Sequence, residues 1–116
     1  MTPTPGFADF WLVDFDPVRG HEQGKKPRPS VVVSHDILNQ SLYEIIMVAP
    51  LTRTDRGIPF HVPVTRHVEG APVRSFIMCE QMRAISTERL IRFLGDRADA
   101  TIMAQIAARL HALLYL

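Results

Sequence analysis

The 116-residue chain is the size of one domain, with room for a sizeable core and none for a second. Its net charge of +1 excludes a general nucleic-acid coat protein, which is far more basic. No apolar run approaches the roughly 18 residues of a membrane span. Met1-Thr2-Pro3-Thr4-Pro5 is not a signal peptide, and the lone Cys79 excludes an internal disulfide, so a cytoplasmic protein with no membrane partner is expected.

Residues 1–6, with two prolines, two threonines and a glycine, read as a flexible N-terminal arm to a single domain over 1–116. Phe10 to Phe15 reads as a strand, with Trp11, Val13 and Phe15 on one face and Phe10 and Leu12 on the other. Burial of both faces predicts a central position in a curved sheet. Ser30 to Ser34 is β-branched almost throughout and forms the next strand. Asp36 is placed to cap a short helical turn over Ile37-Leu38-Asn39, and Tyr43 to Ala49 forms a third strand stopped by Pro50.

Ile58 to Val64 alternates, with Ile58, Phe60, Val62 and Val64 inward and Pro59, His61 and Pro63 outward. Its prolines cannot donate to a neighbour, which predicts an edge or bulged strand. Arg66 to Pro72 reads as a turn-rich connection and Ser75 to Gln81 as a further strand. Ile85 to Arg89 reads as a helical turn capped by Ser86. The clearest helix comes last, with Asp99 as N-cap ahead of an apolar stripe of Ile102, Met103, Ile106, Leu110, Leu113 and Leu114. Five or six short strands with frequent turns and one late amphipathic helix predict a small, strongly bent β-barrel. The apolar end Leu113-Leu114-Tyr115-Leu116 favours burial by the body or by a second subunit.

The stretch from Arg19 to Pro29 is chemically distinct. Arg19, Lys25, Lys26 and Arg28 against Glu22 alone give +3 over 19–28, more than the whole chain carries. A cationic loop holding one carboxylate, set between two strands, suits a phosphodiester. Arg28 lies between Pro27 and Pro29, which restrict its backbone and fix where its side chain starts. No histidine pair has zinc-ligand spacing and no Gly-rich phosphate loop occurs, so neither metal nor cofactor is expected. Cys79, among Phe76, Ile77 and Met78, reads as a small buried hydrophobe.

Six segments stand in a telling order: Phe10 to Pro17, Gly20-His21-Glu22-Gln23, Arg28-Pro29 before the Val-rich strand, Val48 to Thr52, Gly57 to Val62, and Cys79 to Ser86. In order and spacing they resemble the MazF/PemK/Kid toxin family, from residue 8 to about residue 114. The resemblance implies an SH3-like barrel of the MazF/CcdB kind with helices laid against it. It also implies a homodimeric, metal-independent endoribonuclease that cuts single-stranded RNA, the toxin half of a type II toxin–antitoxin pair. The expected partner is a cognate antitoxin whose disordered, acidic tail lies across the RNA groove.

Such a reaction uses the RNA's own 2′-hydroxyl to attack the adjacent phosphorus, giving a 2′,3′-cyclic phosphate and a 5′-hydroxyl. The protein must stabilise phosphoryl charge and manage two protons. Arg28 matches the catalytic arginine of the family's Arg-Pro motif, and its planar fork suits charge stabilisation better than proton transfer. Thr52 reads on its own as a turn cap, whereas the resemblance makes it the catalytic threonine after a hydrophobic strand. Glu22 is either the base for the 2′ proton or a salt-bridge partner that fixes Arg28. His21 is the acid–base candidate by its ordinary pKa, at a position where the family often has serine. Gln23, Gln81 and Arg83 suit reading unstacked bases or backbone, and Lys25, Lys26 and Arg53 suit holding phosphates.

This chain departs from the family twice. Four residues separate Gln23 from Arg28 where three are usual, so Lys26-Pro27 is an alternative match to the motif, and Ala8 stands where glycine is usual. Two rival readings follow: a CcdB-like gyrase-binding toxin that cleaves nothing, or an RNA-binding protein that has lost cleavage.

Overall fold

The computed structural model describes residues 4–15 and 26–116. Its elements are β1 (Asp9–Val13), β2 (Arg28–Val32), α1 (Asp36–Asn39), β3 (Ile45–Thr52), β4 (His61–Val68), β5 (Ala71–Met78), β6 (Arg83–Ser86), β7 (Leu90–Arg97) and α2 (Ala100–Leu114). The strands form one curled antiparallel sheet in the order β4-β5-β3-β2-β1-β7, with β6 paired to β3 off that path. No helix among the described residues is long and apolar enough to cross a membrane.

Both faces of β1 are buried, as its sequence predicts. Trp11 and Val13 join Phe15, Val32, Ile46, Val48 and Ile85 in one core. Phe10 joins Val31, Ala49, Leu51, Val62 and Ile77 in the other. Trp11 is wholly buried and Phe10 is 2% exposed, each burial contributing roughly 2–3 kcal/mol. Helix α2 closes the second core with Met103 and Ile106, and Asp99 caps it by accepting from the Ile102 N–H at 2.8 Å. Leu113 packs on that core, while Leu114, Tyr115 and Leu116 are exposed. Within the expected N-terminal arm, Pro5 is buried and the Gly6 N–H donates to Asp9 at 2.7 Å.

Four local expectations are corrected. Residues 66–72 are the closed end of a long β4–β5 hairpin, paired from His61↔Met78 to Val68↔Ala71. Glu69 and Gly70, at φ +52° and +82°, make its two-residue turn. Pro50 does not stop β3. The β6 ladder ends at Val48 and the β5 ladder begins at Leu51, so Pro50 sits in the gap where its missing N–H deprives no neighbour. His61 points inward, 6% exposed, with Nε2 at 2.9 Å from Glu80 Oε2. Helix α1 is capped by His35, whose Nδ1 accepts from the Ile37 N–H, whereas Asp36 Oδ1 accepts from the Phe7 N–H and from Asn39 Nδ2. The edge position of β4 and the Ser86 cap, accepting from the Glu88 N–H, match expectation.

The two ends of the curl are clasped. Arg66 on β4 donates from Nε and an Nη to both carboxylate oxygens of Asp96 on β7, at 2.9 and 2.7 Å. Its guanidinium also lies 4.9 Å over the Phe10 ring. The clasp holds the hairpin over the end of the sheet where β2 begins and β3 ends.

Candidate active site

Strand register brings Arg28 and Thr52 together. β2 and β3 pair as Ser30↔Pro50, Val31↔Ala49 and Val32↔Val48. Carried on two residues, that register sets Arg28, the first residue of β2, opposite Thr52, the last of β3. The Val33 N–H bonds the Met47 carbonyl, which makes 31/49 a hydrogen-bonding pair and 30/50 a non-bonding one. Arg28 and Thr52 share the alternation of the latter, where facing side chains approach most closely. Both line one cavity of about 370 Å³.

The Arg28 side chain is half-buried, and its Nε is shut from solvent with no hydrogen-bond partner among the described residues. A buried donor left unsatisfied costs about 1–3 kcal/mol, so the site stands ready for an acceptor. The Thr52 hydroxyl accepts from the Thr54 N–H at 3.2 Å and keeps its own proton to donate. Thr52 is therefore both the turn cap that its sequence suggests and a donor in the cavity wall. Three residues on, Asp55 Oδ1 accepts from the Gly57 N–H at 3.0 Å, so side chains shape the loop that carries Arg53 and Arg56.

Arg53, Arg56 and Arg66 line the same cavity, as does Lys26. The charge of Arg66 is matched by Asp96, while Arg28, Arg53 and Arg56 have no hydrogen bond or ion pair among the described residues. The cavity therefore presents unmatched positive charge around a hydroxyl donor, an arrangement that suits a phosphodiester. Lys26 precedes β2 and is exposed, whereas Arg28 lies within the strand and pairs with Val13.

The other candidates are scattered or beyond view. Gln81 ends a 3₁₀ turn over Cys79–Gln81, and Arg83 opens β6, its guanidinium 5.7 Å over the Phe15 ring. Neither lines the cavity of Arg28 and Thr52. His21, Glu22, Gln23 and Lys25 lie outside the described residues. Arg56 and Arg66 were not anticipated from the sequence. Arg56 had a signal in its place three residues after Arg53, and Arg66 had none because its partner is thirty residues away on an unassigned strand.

Cys79 takes no part. Burial pushes its thiol up to about 11, so it stays protonated and unreactive at ordinary pH. The Asp36 carboxyl is held below its ordinary value, first by the Phe7 N–H and then by Asn39.

The sequence profile of PemK-like, MazF-like toxins of type II toxin–antitoxin systems matches residues 7–114. Endoribonuclease MazF9 of Mycobacterium tuberculosis is 38% identical over 111 residues, spanning 90% of this chain and 92% of its own. The endoribonuclease toxin ChpB of Escherichia coli is 34% identical over 99 residues, 82% of each chain. Among solved structures, MazF from Deinococcus radiodurans superposes with a TM-score of 0.83 at 25% identity, covering 98% of this chain and 99% of its own. A mycobacterial endoribonuclease in complex with its cognate antitoxin shares the fold, with a TM-score of 0.74 at 20% identity over 97% of this chain and 96% of its own.

Proposed function

This chain belongs to the family of PemK-like, MazF-like toxins of type II toxin–antitoxin systems, and on that premise we propose that it is a sequence-specific endoribonuclease acting on single-stranded RNA. The observation that carries the reading is the placement of Arg28 and Thr52 at facing ends of β2 and β3, in one cavity, with the Arg28 Nε buried and without a partner among the described residues. Arg28 and the Thr52 hydroxyl donate to the non-bridging oxygens of the scissile phosphate and stabilise charge as it develops. The 2′-oxygen loses its proton and bonds to phosphorus, the bond from phosphorus to the 5′-oxygen breaks, and that oxygen takes a proton from His21 or from water, so the products are a 2′,3′-cyclic phosphate and a 5′-hydroxyl. Glu22 is assigned to take the 2′ proton or to hold Arg28. An internal nucleophile and fixed arginine charge supply what a metal would otherwise provide.

Arg53 and Lys26 hold flanking phosphates in this scheme, and His21, Gln23, Lys25, Gln81 and Arg83 contact the rest of the RNA. The enzyme works as a cytoplasmic homodimer, a single domain per chain, restrained by an antitoxin with a disordered acidic tail. The same unmatched arginines that suit RNA phosphates suit such a tail's carboxylates.

Incubation of the purified protein with a long single-stranded RNA in EDTA, with both new ends mapped, tests the reading. Discrete cuts leaving 5′-hydroxyl ends, absent with Arg28→Ala, are the expected result. An RNA left intact would overturn it. Gyrase inhibition that survives Arg28→Ala would then identify the CcdB-like alternative, and RNA binding without products the non-cleaving one.

A further inference from the structure

A second cavity, of about 280 Å³, adjoins the first and shares Pro29, Arg53, Arg66 and Val68 with it. Its remaining wall is Leu12, Leu94, His67, Arg92 and, at the hairpin tip, the exposed Glu69. Leu12 on β1 pairs with Pro29 on β2 and with Arg92 on β7, so three adjacent strands deliver these side chains.

The arginines of the molecule divide sharply. Arg66 and Arg97 are paired with Asp96 and Asp9, and Arg89 and Arg109 donate to the carbonyls of Asp14 and Gln105. Arg74 and Arg83 lie over Phe76 and Phe15. Arg28, Arg53, Arg56 and Arg92 alone among the described arginines have no such engagement. All four line one or other of these adjoining cavities. A guanidinium left without a partner keeps its donors for an anion. Arg53, on the shared wall, links the two cavities into one cationic track.

We propose that the second cavity is a subsite for a nucleotide flanking the scissile phosphate, with Arg92 holding that nucleotide's phosphate and the apolar floor of Leu12, Leu94 and Val68 receiving its base or sugar. The proposal rests on the reading that single-stranded RNA fills the first cavity. The paired unmatched charge and apolar floor fit a nucleotide, which needs both, better than a carboxylate side chain, which needs only the charge.

Fluorescence anisotropy with labelled oligouridylates tests the subsite apart from cleavage. A dinucleotide carries a single internucleotide phosphate, which the proposed function assigns to the first cavity, whereas a heptanucleotide is long enough to reach both. Arg92→Ala is expected to weaken the heptanucleotide severalfold, to lower the slope of log Kd against log salt by about one, and to leave the dinucleotide unchanged. Arg74→Ala, which removes the same charge outside both cavities, is the control and should leave both unchanged. In cleavage assays Arg92→Ala should raise KM at constant kcat. An equal effect of Arg92→Ala on both lengths, or equal effects of the two variants, would reduce Arg92 to diffuse attraction and overturn the proposal. Arg92-dependent binding of an oligoglutamate peptide, with no oligonucleotide bound, would assign the cavity to a protein partner and also overturn it. A protein that binds the heptanucleotide through Arg92 yet cuts no RNA would sink the nuclease reading and leave the subsite standing. Cleavage with no Arg92 effect would do the reverse.

Discussion

Arg28 and Arg66 line the same cavity and carry the same guanidinium, yet their surroundings assign them opposite work. Arg66 is 7% exposed, its fork closed on both oxygens of Asp96 and its plane over Phe10. Its charge is matched and two of its five N–H donors are spent on Asp96, and what it holds together is β4 and β7, the two ends of the curl. Arg28 sits at the start of β2 with a buried Nε that meets no acceptor among the described residues. A charge-matched arginine is architecture, and an unmatched one is an interaction waiting for its second half. The comparison teaches that charge lining a pocket must be discounted by the partners it already has before it is counted as recognition.

That contrast can be broken. Arg28→Ala should cut cleavage by about 10²–10³-fold, as loss of one fixed donor to a developing anion does. Unfolding free energy should stay within about 0.5 kcal/mol of the parent, because no hydrogen bond or ion pair among the described residues is removed and a buried unpaired donor goes with the side chain. Urea titration beside the cleavage assay reads both. Arg66→Ala should give the converse, about 2–3 kcal/mol of lost stability, with residual activity tracking the folded fraction. The low end of the range for a broken buried pair applies because Asp96 is one-third exposed. If Arg66→Ala abolished cleavage in fully folded protein, the division of labour would fail.

Thr52 sharpens the comparison because it carries both roles on one oxygen. Thr52→Val should lower cleavage roughly tenfold and stability by about 1 kcal/mol, whereas Thr52→Ser should retain most of both. A smaller effect belongs to Asp36, which ties the N-terminal segment at Phe7. Its folded carboxyl titrates below the ordinary value, so its contribution is complete above an unfolded pKa of about 3.9 and vanishes as pH falls through the folded one. Urea midpoints of Asp36→Asn and the parent should differ at pH near neutrality and converge in acid.

Much of this was legible in the chain. The doubly apolar β1 and the stripe and cap of α2 follow from periodicity alone, and the polar loop before Val31-Val32-Val33 marked Arg28. The β4–β5 hairpin tip and β7 were hidden because they carry weak patterns. β4 and β7 are the edge strands, so one ladder side of each is unpaired and charged residues such as Arg66, Arg92 and Arg97 interrupt the alternation. Pro50 misled for a different reason, since only the relative lengths of β5 and β6 show that its nitrogen faces a gap. The meeting of Arg28 with Thr52 needed the register, which no single segment encodes. Ala8 shows the limit of residue identity. It stands at φ +73° and 5% exposed, so the chain tolerates a methyl in a left-handed turn that glycine would adopt without strain.

The silence of Cys79 makes this molecule unusually easy to instrument. The chain's one sulfhydryl is buried and protonated, so maleimide chemistry on the folded protein starts from a blank background. A cysteine introduced at an exposed position beside either cavity, Thr54 or Glu69 for example, becomes a unique attachment point for a fluorophore or spin label. Distances from such a label to a tagged oligonucleotide would then trace the path of the strand across the surface, with no need to engineer the native thiol away.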